Sequence, residues 1–333
     1  MHYFLDKGFY PIPFVDTARR IYGILNYYTT WLEGDSFVRY RILVLDIDGT
    51  LTNSQKEISP ATKQALHDLQ ASGVKVVLAS GRPTCGMTHV AKEIELERFG
   101  GFLLSYNGGR ITDCKTGQII YQKVLPNACI APLYAFAKEH GVHIMSYEND
   151  QIITEHPDDP YVEVEARINR MFVKPVNDFV RTIQFPVVKC IFTGDGGVLE
   201  ALEPMAVREF EELNIYRSEP FFLEIMPPSI DKAYSLSKLL EHLGLTKEQM
   251  VACGDGFNDL SMIEYAGMGV AMANAQPVVK RAADWITSSN DEDGIVRVIH
   301  KFFNNGESVW SEPFSTATAT ASTRRSHVCK IQN

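Results

Sequence analysis

A short apolar strand that runs into paired acidic residues constrains the fold of this chain more than any other feature. Residues 41–45, Arg-Ile-Leu-Val-Leu, are suited to a strand that is buried on both faces. Ser59 and Pro60 then mark the start of a helix, Gly73 lies where that helix ends, and residues 74–79 form a second apolar strand. A strand, a helix and a strand within about 40 residues form a βαβ unit, which predicts a parallel sheet of the α/β class.

The middle of the chain, residues 113–222, follows a different pattern. Short alternating strands are separated by turn signals and mixed with helices, which predicts an α+β domain inserted into the parallel one. The predicted strands are 118–124, 142–147 and 151–154, and the predicted helices are 128–140, 159–170 and 197–213. The α/β pattern returns with a helix at 234–243 and a buried strand at 250–253. The predicted core therefore consists of residues 41–112 and 223–304.

The two ends of the chain differ in composition from the rest. Residues 1–40 are rich in aromatic residues and carry an apolar stripe at helical spacing, formed by Ile21, Ile24, Leu25, Tyr28, Trp31 and Leu32. This stripe is compatible with a helix that binds a membrane surface or a partner, with a helix packed on its own domain, and with an extension that does not dock. Residues 305–333 are dominated by serine and threonine and are predicted to be disordered.

Charge and cysteine content limit the possible partners and the compartment. The chain has 32 Lys and Arg against 41 Asp and Glu, a net charge of −9, which argues against a nucleic-acid partner. Its six cysteines include no C-x-x-C pair, and no apolar run approaches the roughly 18 residues of a membrane span. We therefore expect a soluble cytoplasmic protein, whose oligomeric state the sequence leaves open.

Acidic residues follow two of the predicted buried strands. Because residues i and i+2 of a strand point the same way, Asp46 and Asp48 are expected to face one crevice at the carboxyl edge of the sheet. Such a pair is tolerated when a divalent cation neutralises it or when one carboxyl holds a proton, and Mg²⁺ prefers oxygen ligands. The strand at 250–253 leads into Asp255, which can complete a carboxylate metal site, and Asn258, a neutral donor for an oxyanion.

Two further places supply groups that suit a phosphate. Ser80 and Gly81 follow the second strand directly, and Lys232 begins the helix after the inserted domain. A hydroxyl, backbone N–H groups and an ammonium group are the donors that a phosphoryl dianion requires. These residues are therefore predicted to bind the phosphate of a small-molecule ester.

The combined motifs resemble those of the haloacid dehalogenase superfamily, specifically the Cof-type class IIB phosphatases. The resemblance covers about residues 41–304 and depends on six segments. They are D-x-D-G-T at 46–50, S-G-R-P at 80–83, S-Y-N-G at 105–108, L-E-I-M-P before Lys232, G-D-G-x-N-D at 254–259 and N-D-E-D-G at 290–294. The family's fold is a doubly wound parallel sheet with a mobile α+β cap, which the inserted domain resembles.

The resemblance implies a role for each candidate residue. Asp46 would be the nucleophile that forms an aspartyl-phosphate, and Asp48 would protonate the leaving group and then activate water. Mg²⁺ would bind Asp46, the main-chain carbonyl of Asp48, and Asp255. The phosphoryl oxygens would be held by the amides of Ile47 and Gly81 and by the side chains of Ser80, Lys232 and Asn258. Asp259 would orient Lys232 or the metal ligands, and Thr50 would steady the Asp46 loop.

These roles predict a Mg²⁺-dependent phosphatase that hydrolyses small phosphorylated metabolites, with sugar phosphates as the expected class. A phosphosugar mutase uses the same two aspartates, and a binding module without activity is the non-enzymatic alternative. Arg82 is compatible with contact to the substrate and with packing at the mouth of the crevice. The chain departs from the family pattern at 227–231, Pro-Pro-Ser-Ile-Asp, where relatives usually have a glycine nearby.

Overall fold

The computed structural model describes residues 40–303, so the predictions for the aromatic-rich N-terminus and the Ser/Thr-rich tail lie outside the described residues. In chain order the strands are β1 (Ile42–Leu45), β2 (Lys75–Ala79), β3 (Phe102–Ser105), β4 (Arg110–Asp113), β5 (Ile119–Gln122), β6 (His143–Glu148), β7 (Gln151–Thr154), β8 (Phe172–Pro175), β9 (Cys190–Thr193), β10 (Asn214–Glu219), β11 (Phe222–Met226), β12 (Met250–Gly254), β13 (Met268–Ala271) and β14 (Trp285–Ile286).

The helices alternate with the strands of the core and pack against the second sheet. They are α1 (Pro60–Ala71), α2 (Thr84–Glu93), α3 (Leu96–Phe99), α4 (Ile130–Glu139), α5 (Pro160–Asn169), α6 (Phe179–Thr182), α7 (Gly196–Glu209), α8 (Lys232–Leu243), α9 (Leu260–Tyr265), α10 (Pro277–Ala282) and α11 (Gly294–Phe302). Within residues 40–303, no helix is long and apolar enough to cross a membrane.

The core is an eight-stranded sheet in the order β14-β13-β12-β1-β2-β3-β4-β5. Its strands from β14 to β3 are parallel, and β4 and β5 extend it as an antiparallel hairpin. Strand β1 lies between β12 and β2, and its last residue, Leu45, pairs with Cys253 on one side and Leu78 on the other. The residues that follow these three strands therefore meet at one edge of the sheet.

Burial of β1 on both faces explains the apolar run that the sequence shows. Leu43 and Leu45 belong to the hydrophobic cluster formed with α1, α2 and α11, whereas Ile42 and Val44 belong to the cluster formed with α8. Helices thus cover both faces of the sheet, and the predicted α/β fold with a parallel, doubly wound core is confirmed.

The inserted domain has its own six-stranded sheet, in the order β10-β11-β9-β6-β7-β8. Side chains of α4, α6 and α7 pack on one face of this sheet, around Phe179 and Phe192. The opposite face carries Tyr147 and Met226, which pack with Tyr106 of the core segment that follows β3. This second face is therefore the one turned towards the core.

The sheet pairing corrects the predicted placement of two strands. The strand predicted at 118–124 was assigned to the inserted domain, but β5 pairs with β4 and packs Tyr121 against the core. Strand β11 begins at the predicted boundary, Phe222, yet it pairs with β9 and β10 in the second sheet. Alternation predicts that a segment is a strand, but it does not specify which strand it pairs with.

Candidate active site

Asp46 and Lys232 form a buried ion pair at the carboxyl edge of the core sheet. Asp46 directly follows β1 and is 6% exposed, and Lys232 is the first residue of α8 and is fully buried. The Lys232 ammonium donates to Asp46 Oδ1 at 2.8 Å, to the Ala79 carbonyl at 2.8 Å and to Asp259 Oδ1 at 2.5 Å. This ammonium group therefore joins the ends of β1 and β2 to the loop that follows β12.

The loop after β12 supplies two more carboxylates to the same place. Asp259 Oδ2 accepts hydrogen bonds from the backbone N–H groups of Asp255 and Gly256, both at 2.9 Å. Asp255 Oδ1 accepts from the Thr50 hydroxyl at 3.0 Å. Thr50 was expected to steady the Asp46 loop; in the structure its hydroxyl binds Asp255, because the turn after Asp46 carries it towards β12.

Three carboxylates, of Asp46, Asp255 and Asp259, lie around a single ammonium group, that of Lys232. Burial and the neighbouring Asp259 raise the pKa of Asp46 to about 8, although Lys232 opposes the shift. Burial raises the pKa of Asp255 to about 6 against the opposing hydrogen bond from Thr50. Burial alone would lower the pKa of Lys232, but Asp259 and Asp46 outweigh it and hold that pKa above its usual value. The site thus carries an excess of negative charge that a further cation would neutralise.

The donor atoms fit a hard divalent cation. Carboxylate oxygens of Asp46, Asp255 and Asp259 all lie within 4.8 Å of one another, and oxygen is the ligand type that Mg²⁺ prefers. Gly49 has a φ of +84°, and a Cβ built on it would lie 2.4 Å from Asp255 Oδ2, so a side chain there would collide with this carboxylate. The Asp48 side chain is not part of this group of three.

Asp48 is instead held by two cationic side chains. Strand β1 ends at Leu45, so the strict strand alternation from which one shared crevice was expected does not continue through Asp48. Arg82 Nε donates to Asp48 Oδ2 at 2.9 Å and Arg82 Nη2 to Oδ1 at 2.8 Å, while Lys56 Nζ donates to Oδ1 at 2.9 Å. Burial alone would raise the pKa of Asp48, but Arg82 and Lys56 outweigh it and hold that pKa below its usual value.

The sequence left the role of Arg82 open, and it did not identify Lys56 as a site residue. The structure places the Arg82 guanidinium in a two-pronged contact with Asp48. Lys56 lies on the loop between β1 and α1, which also carries Asp48, and nothing in the sequence marks it as the partner of that carboxylate. The motif at 290–294 holds this loop: Asp291 accepts from the Ser54 backbone N–H at 2.8 Å and from its hydroxyl at 2.7 Å.

The predicted phosphate-binding residues lie around the same strand ends. Ser80 directly follows β2, is buried, and accepts from the Arg82 backbone N–H at 3.2 Å. Ile47 is fully buried in the turn after Asp46, and its carbonyl accepts from the Thr52 hydroxyl at 2.9 Å. A Cβ built on Gly81 would lie 3.1 Å from the side-chain amide of Asn107.

Asn107 is a site residue to which sequence reasoning gave no role. Its side-chain oxygen accepts from Asn258 Nδ2 at 3.0 Å, and its Nδ2 donates to the Tyr216 hydroxyl of the inserted domain at 3.1 Å. The S-Y-N-G segment was the one signal that could have indicated it. Asn107 therefore links the predicted phosphate-binding Asn258 to the inserted domain.

A cavity of about 360 Å³ opens beside these residues, between the core and the inserted domain. Amide, hydroxyl and carboxylate groups line it together with a few apolar side chains. The lining residues are Asn107, Asn214, Tyr216, Met226, Ile230, Asp231, Lys232, Phe257, Asn258, Leu260, Ser261 and Glu264. Such a cavity suits a small molecule that carries polar groups.

Comparison with known proteins agrees with this architecture. Residues 43–299 match the family model of haloacid dehalogenase-like hydrolases. A crystal structure of a haloacid dehalogenase-like hydrolase from Bacteroides thetaiotaomicron is 49% identical, with a TM-score of 0.77, and covers 80% of this chain and 100% of that one. The Bacillus subtilis (strain 168) protein YxeH, whose name assigns it provisionally as a phosphatase, is 31% identical over 79% of this chain and 98% of its own length.

A third similar protein is the sugar phosphatase BT4131 of subclass IIB in the same superfamily. Its structure is 26% identical, has a TM-score of 0.66, and covers 79% of this chain and 98% of that one. The chain belongs to the haloacid dehalogenase-like hydrolase family, as its motifs predicted. It is a hydrolase that acts on phosphate esters.

Proposed function

We propose that this protein is a Mg²⁺-dependent phosphatase of small sugar phosphates that works through an aspartyl-phosphate on Asp46. The single observation that carries the proposal is the position of the Asp46 carboxylate. It lies at the end of the central strand β1, Lys232 binds one of its oxygens, and Asp255 and Asp259 lie beside it. A carboxylate held in this way presents its second oxygen to a phosphorus atom without rotating freely.

In the first step an Asp46 oxygen attacks phosphorus and the bond from phosphorus to the ester oxygen breaks. The leaving oxygen takes a proton from Asp48. In the second step water attacks the phosphorus of the aspartyl-phosphate, gives a proton to Asp48, and the bond between Asp46 and phosphorus breaks to release inorganic phosphate. The ion pairs with Arg82 and Lys56 favour the ionised form of Asp48, which is the form that accepts this proton. They oppose the protonated form that the first step uses, so that step requires Asp48 to be released from at least one of these two cations.

Asp46, Asp255 and the main-chain carbonyl of Asp48 are the groups we expect to hold Mg²⁺. Asp259 is already committed, because one oxygen binds Lys232 and the other accepts two backbone N–H groups. When bound, the ion would neutralise the charge that develops on the transferring phosphoryl group. Ser80 and Asn258 supply side-chain donors to the phosphoryl oxygens, together with the Ile47 and Gly81 amides. The sequence also assigned Lys232 to the phosphate, but its three N–H groups are already given to Asp46, Asp259 and the Ala79 carbonyl, so it acts here through Asp46.

The proposed substrate class depends on the cavity and on one relative. Asn214 and Ser261 offer amide and hydroxyl groups that can exchange hydrogen bonds with sugar hydroxyls, and Phe257 offers an apolar surface. The similar protein BT4131 is named as a sugar phosphatase. These two observations support sugar phosphates over larger phosphate esters.

The test is release of free phosphate from a panel of sugar phosphates, nucleotides and cofactor phosphates, with added Mg²⁺ or with a chelator. We expect Mg²⁺-dependent release that Asp46→Asn abolishes. Asp68→Asn, the same change at an exposed aspartate of α1, should leave the rate unaltered. Phosphorus NMR that shows an isomerised sugar phosphate without free phosphate would contradict hydrolysis and indicate a mutase instead.

A further inference from the structure

A continuous series of hydrogen bonds joins a buried ion pair of the inserted domain to Asn258 in the core. Lys189 Nζ donates to Glu224 Oε1 at 3.1 Å, and both side chains are at most 10% exposed. The Tyr216 hydroxyl donates to Glu224 Oε2 at 3.1 Å, and Asn107 Nδ2 donates to the Tyr216 oxygen at 3.1 Å. Asn258 Nδ2 donates to Asn107 Oδ1 at 3.0 Å and completes the series.

The charge at one end sets the direction of every hydrogen bond in this series. An ionised carboxylate only accepts hydrogen bonds, so Glu224, paired with Lys189, requires the Tyr216 hydroxyl to donate. That hydroxyl has one proton, so its oxygen accepts from Asn107, and its contact with the Met226 sulfur at 3.6 Å is the weaker one. Burial raises the pKa of Tyr216, and the neighbouring Glu224 carboxylate raises it further, so the hydroxyl keeps this proton.

The orientation of Asn107 in turn sets the orientation of Asn258. Because Asn107 presents its amide nitrogen to Tyr216, its oxygen faces Asn258 and must receive an N–H group. An amide has an N–H₂ end and a carbonyl end, and phosphoryl oxygens are acceptors. A flipped Asn258 would place its carbonyl oxygen where it now donates, so the series specifies which end of this side chain is presented at the phosphate-binding loop.

The backbone at Asn107 is strained, and hydrogen bonds hold it in the conformation that presents the Asn107 side chain to Tyr216 and Asn258. Tyr106, Asn107 and Gly108 all have positive φ angles, of 55°, 52° and 105°, and a bulky residue such as tyrosine rarely adopts one. The backbone N–H of Tyr106 donates to the Arg82 carbonyl, and that of Asn107 to the Ser80 carbonyl, both at 3.0 Å. The strained segment is thereby fixed to the same loop that carries Ser80 and Gly81.

We propose that Asn107 and Tyr216 are positioning residues that hold Asn258 ready to donate to the phosphoryl group of the substrate. This inference rests on the proposed function, because it assigns Asn258 to the phosphate. It also makes phosphate binding depend on where the inserted domain sits, since Tyr216 belongs to β10 of that domain and Asn258 to the core. Withdrawal of the inserted domain would release Asn107 and, through it, Asn258.

The test uses Tyr216→Phe, which removes one hydroxyl, and inorganic phosphate as the probe. We expect the inhibition constant for phosphate to rise about tenfold and kcat/KM for the best sugar phosphate to fall by a similar factor, as for loss of a hydrogen bond to a charged group. Asn107→Gly should act in the same direction, because glycine suits the left-handed backbone there. Tyr134→Phe is the matched control, since that hydroxyl binds Glu155 elsewhere in the inserted domain.

A second comparison separates positioning from general damage to the fold. In an Asn258→Ala background, Tyr216→Phe should cause no further loss of phosphate affinity, because its effect passes through Asn258. Phosphate inhibition within twofold of wild type in both Tyr216→Phe and Asn107→Gly, or an undiminished effect of Tyr216→Phe in the Asn258→Ala background, would overturn the inference. A wild-type enzyme without Asp46-dependent activity would overturn the proposed function and this inference with it.

Discussion

Replacement of Lys232 with methionine tests the electrostatic account of the site most severely. The change preserves side-chain length but removes the ammonium that binds Asp46, Asp259 and the Ala79 carbonyl. Loss of the cation from a buried ion pair costs about 3–5 kcal/mol, because the carboxylate of Asp259 then stays buried without compensation. For a chain of this size each kcal/mol lowers the melting temperature by about 2–4 °C, so a fall of about 6–20 °C is expected.

The measurement is the free energy of unfolding from urea denaturation near neutral pH, with a chelator present so that no metal ion replaces the lost charge. Lys238→Met is the matched control on the same helix, because Lys238 is 40% exposed and pairs with Glu241 at 3.2 Å. An exposed pair of this kind contributes at most about 1 kcal/mol. A Lys232→Met protein that loses no more stability than Lys238→Met would refute the reasoning.

Three further predictions follow from individual residues. The raised pKa values of Asp46, to about 8, and of Asp255, to about 6, mean that the metal-free folded state holds protons that the unfolded chain releases near 3.8. The stability of the metal-free protein should therefore fall as pH rises from about 4 to 8. Calorimetry should show Mg²⁺ binding more tightly as pH rises, because protons compete for the same carboxylates. A stability or a Mg²⁺ affinity that does not change over this pH range would contradict the prediction. Gly49→Ala should raise the Mg²⁺ concentration for half-maximal activity at least about tenfold, because its Cβ meets Asp255, and an unchanged requirement would place the ion elsewhere. Ser229→Gly should stabilise the protein by up to about 1 kcal/mol in urea denaturation, because Ser229 has a φ of 53°. Ser237→Gly, inside α8, should destabilise it by about as much. Two changes in stability of the same sign would refute the left-handed backbone at Ser229.

The parts of the fold with local signals could be predicted from sequence. Ser59 caps α1 by accepting from the Thr62 backbone N–H, and Pro60 is the first helical residue, as their types and order indicate. Asp195 caps α7 directly after β9, so the Gly-Asp-Gly-Gly segment at 194–197 forms the turn from strand to helix. The helix predicted to end at Leu213 stops at Glu209, because the chain turns there towards β10.

Two of the missed site contacts join distant segments. Arg82 meets Asp48, and Thr50 meets Asp255, only after the strand order has been set by pairing across the sheet. Lys56 meets Asp48 within the loop between β1 and α1, whose path no local sequence signal indicates. Asn107 has no chemical signature in the sequence beyond a short motif, because its role depends on hydrogen-bond partners from both domains. The departure at 227–231 is explained locally: Ser229 adopts the left-handed backbone that a glycine would favour.

The central claim is that Asp46 carries the phosphoryl group during the reaction. The most direct test mixes the enzyme with Mg²⁺ and the best substrate labelled with ³²P, quenches it with acid within one turnover, and locates the label by peptide mapping. The account predicts label on the peptide that contains Asp46, its release by hydroxylamine as for an acyl phosphate, and none in Asp46→Asn. Turnover by the wild-type enzyme with label on another residue, or undiminished turnover by Asp46→Asn, would contradict it.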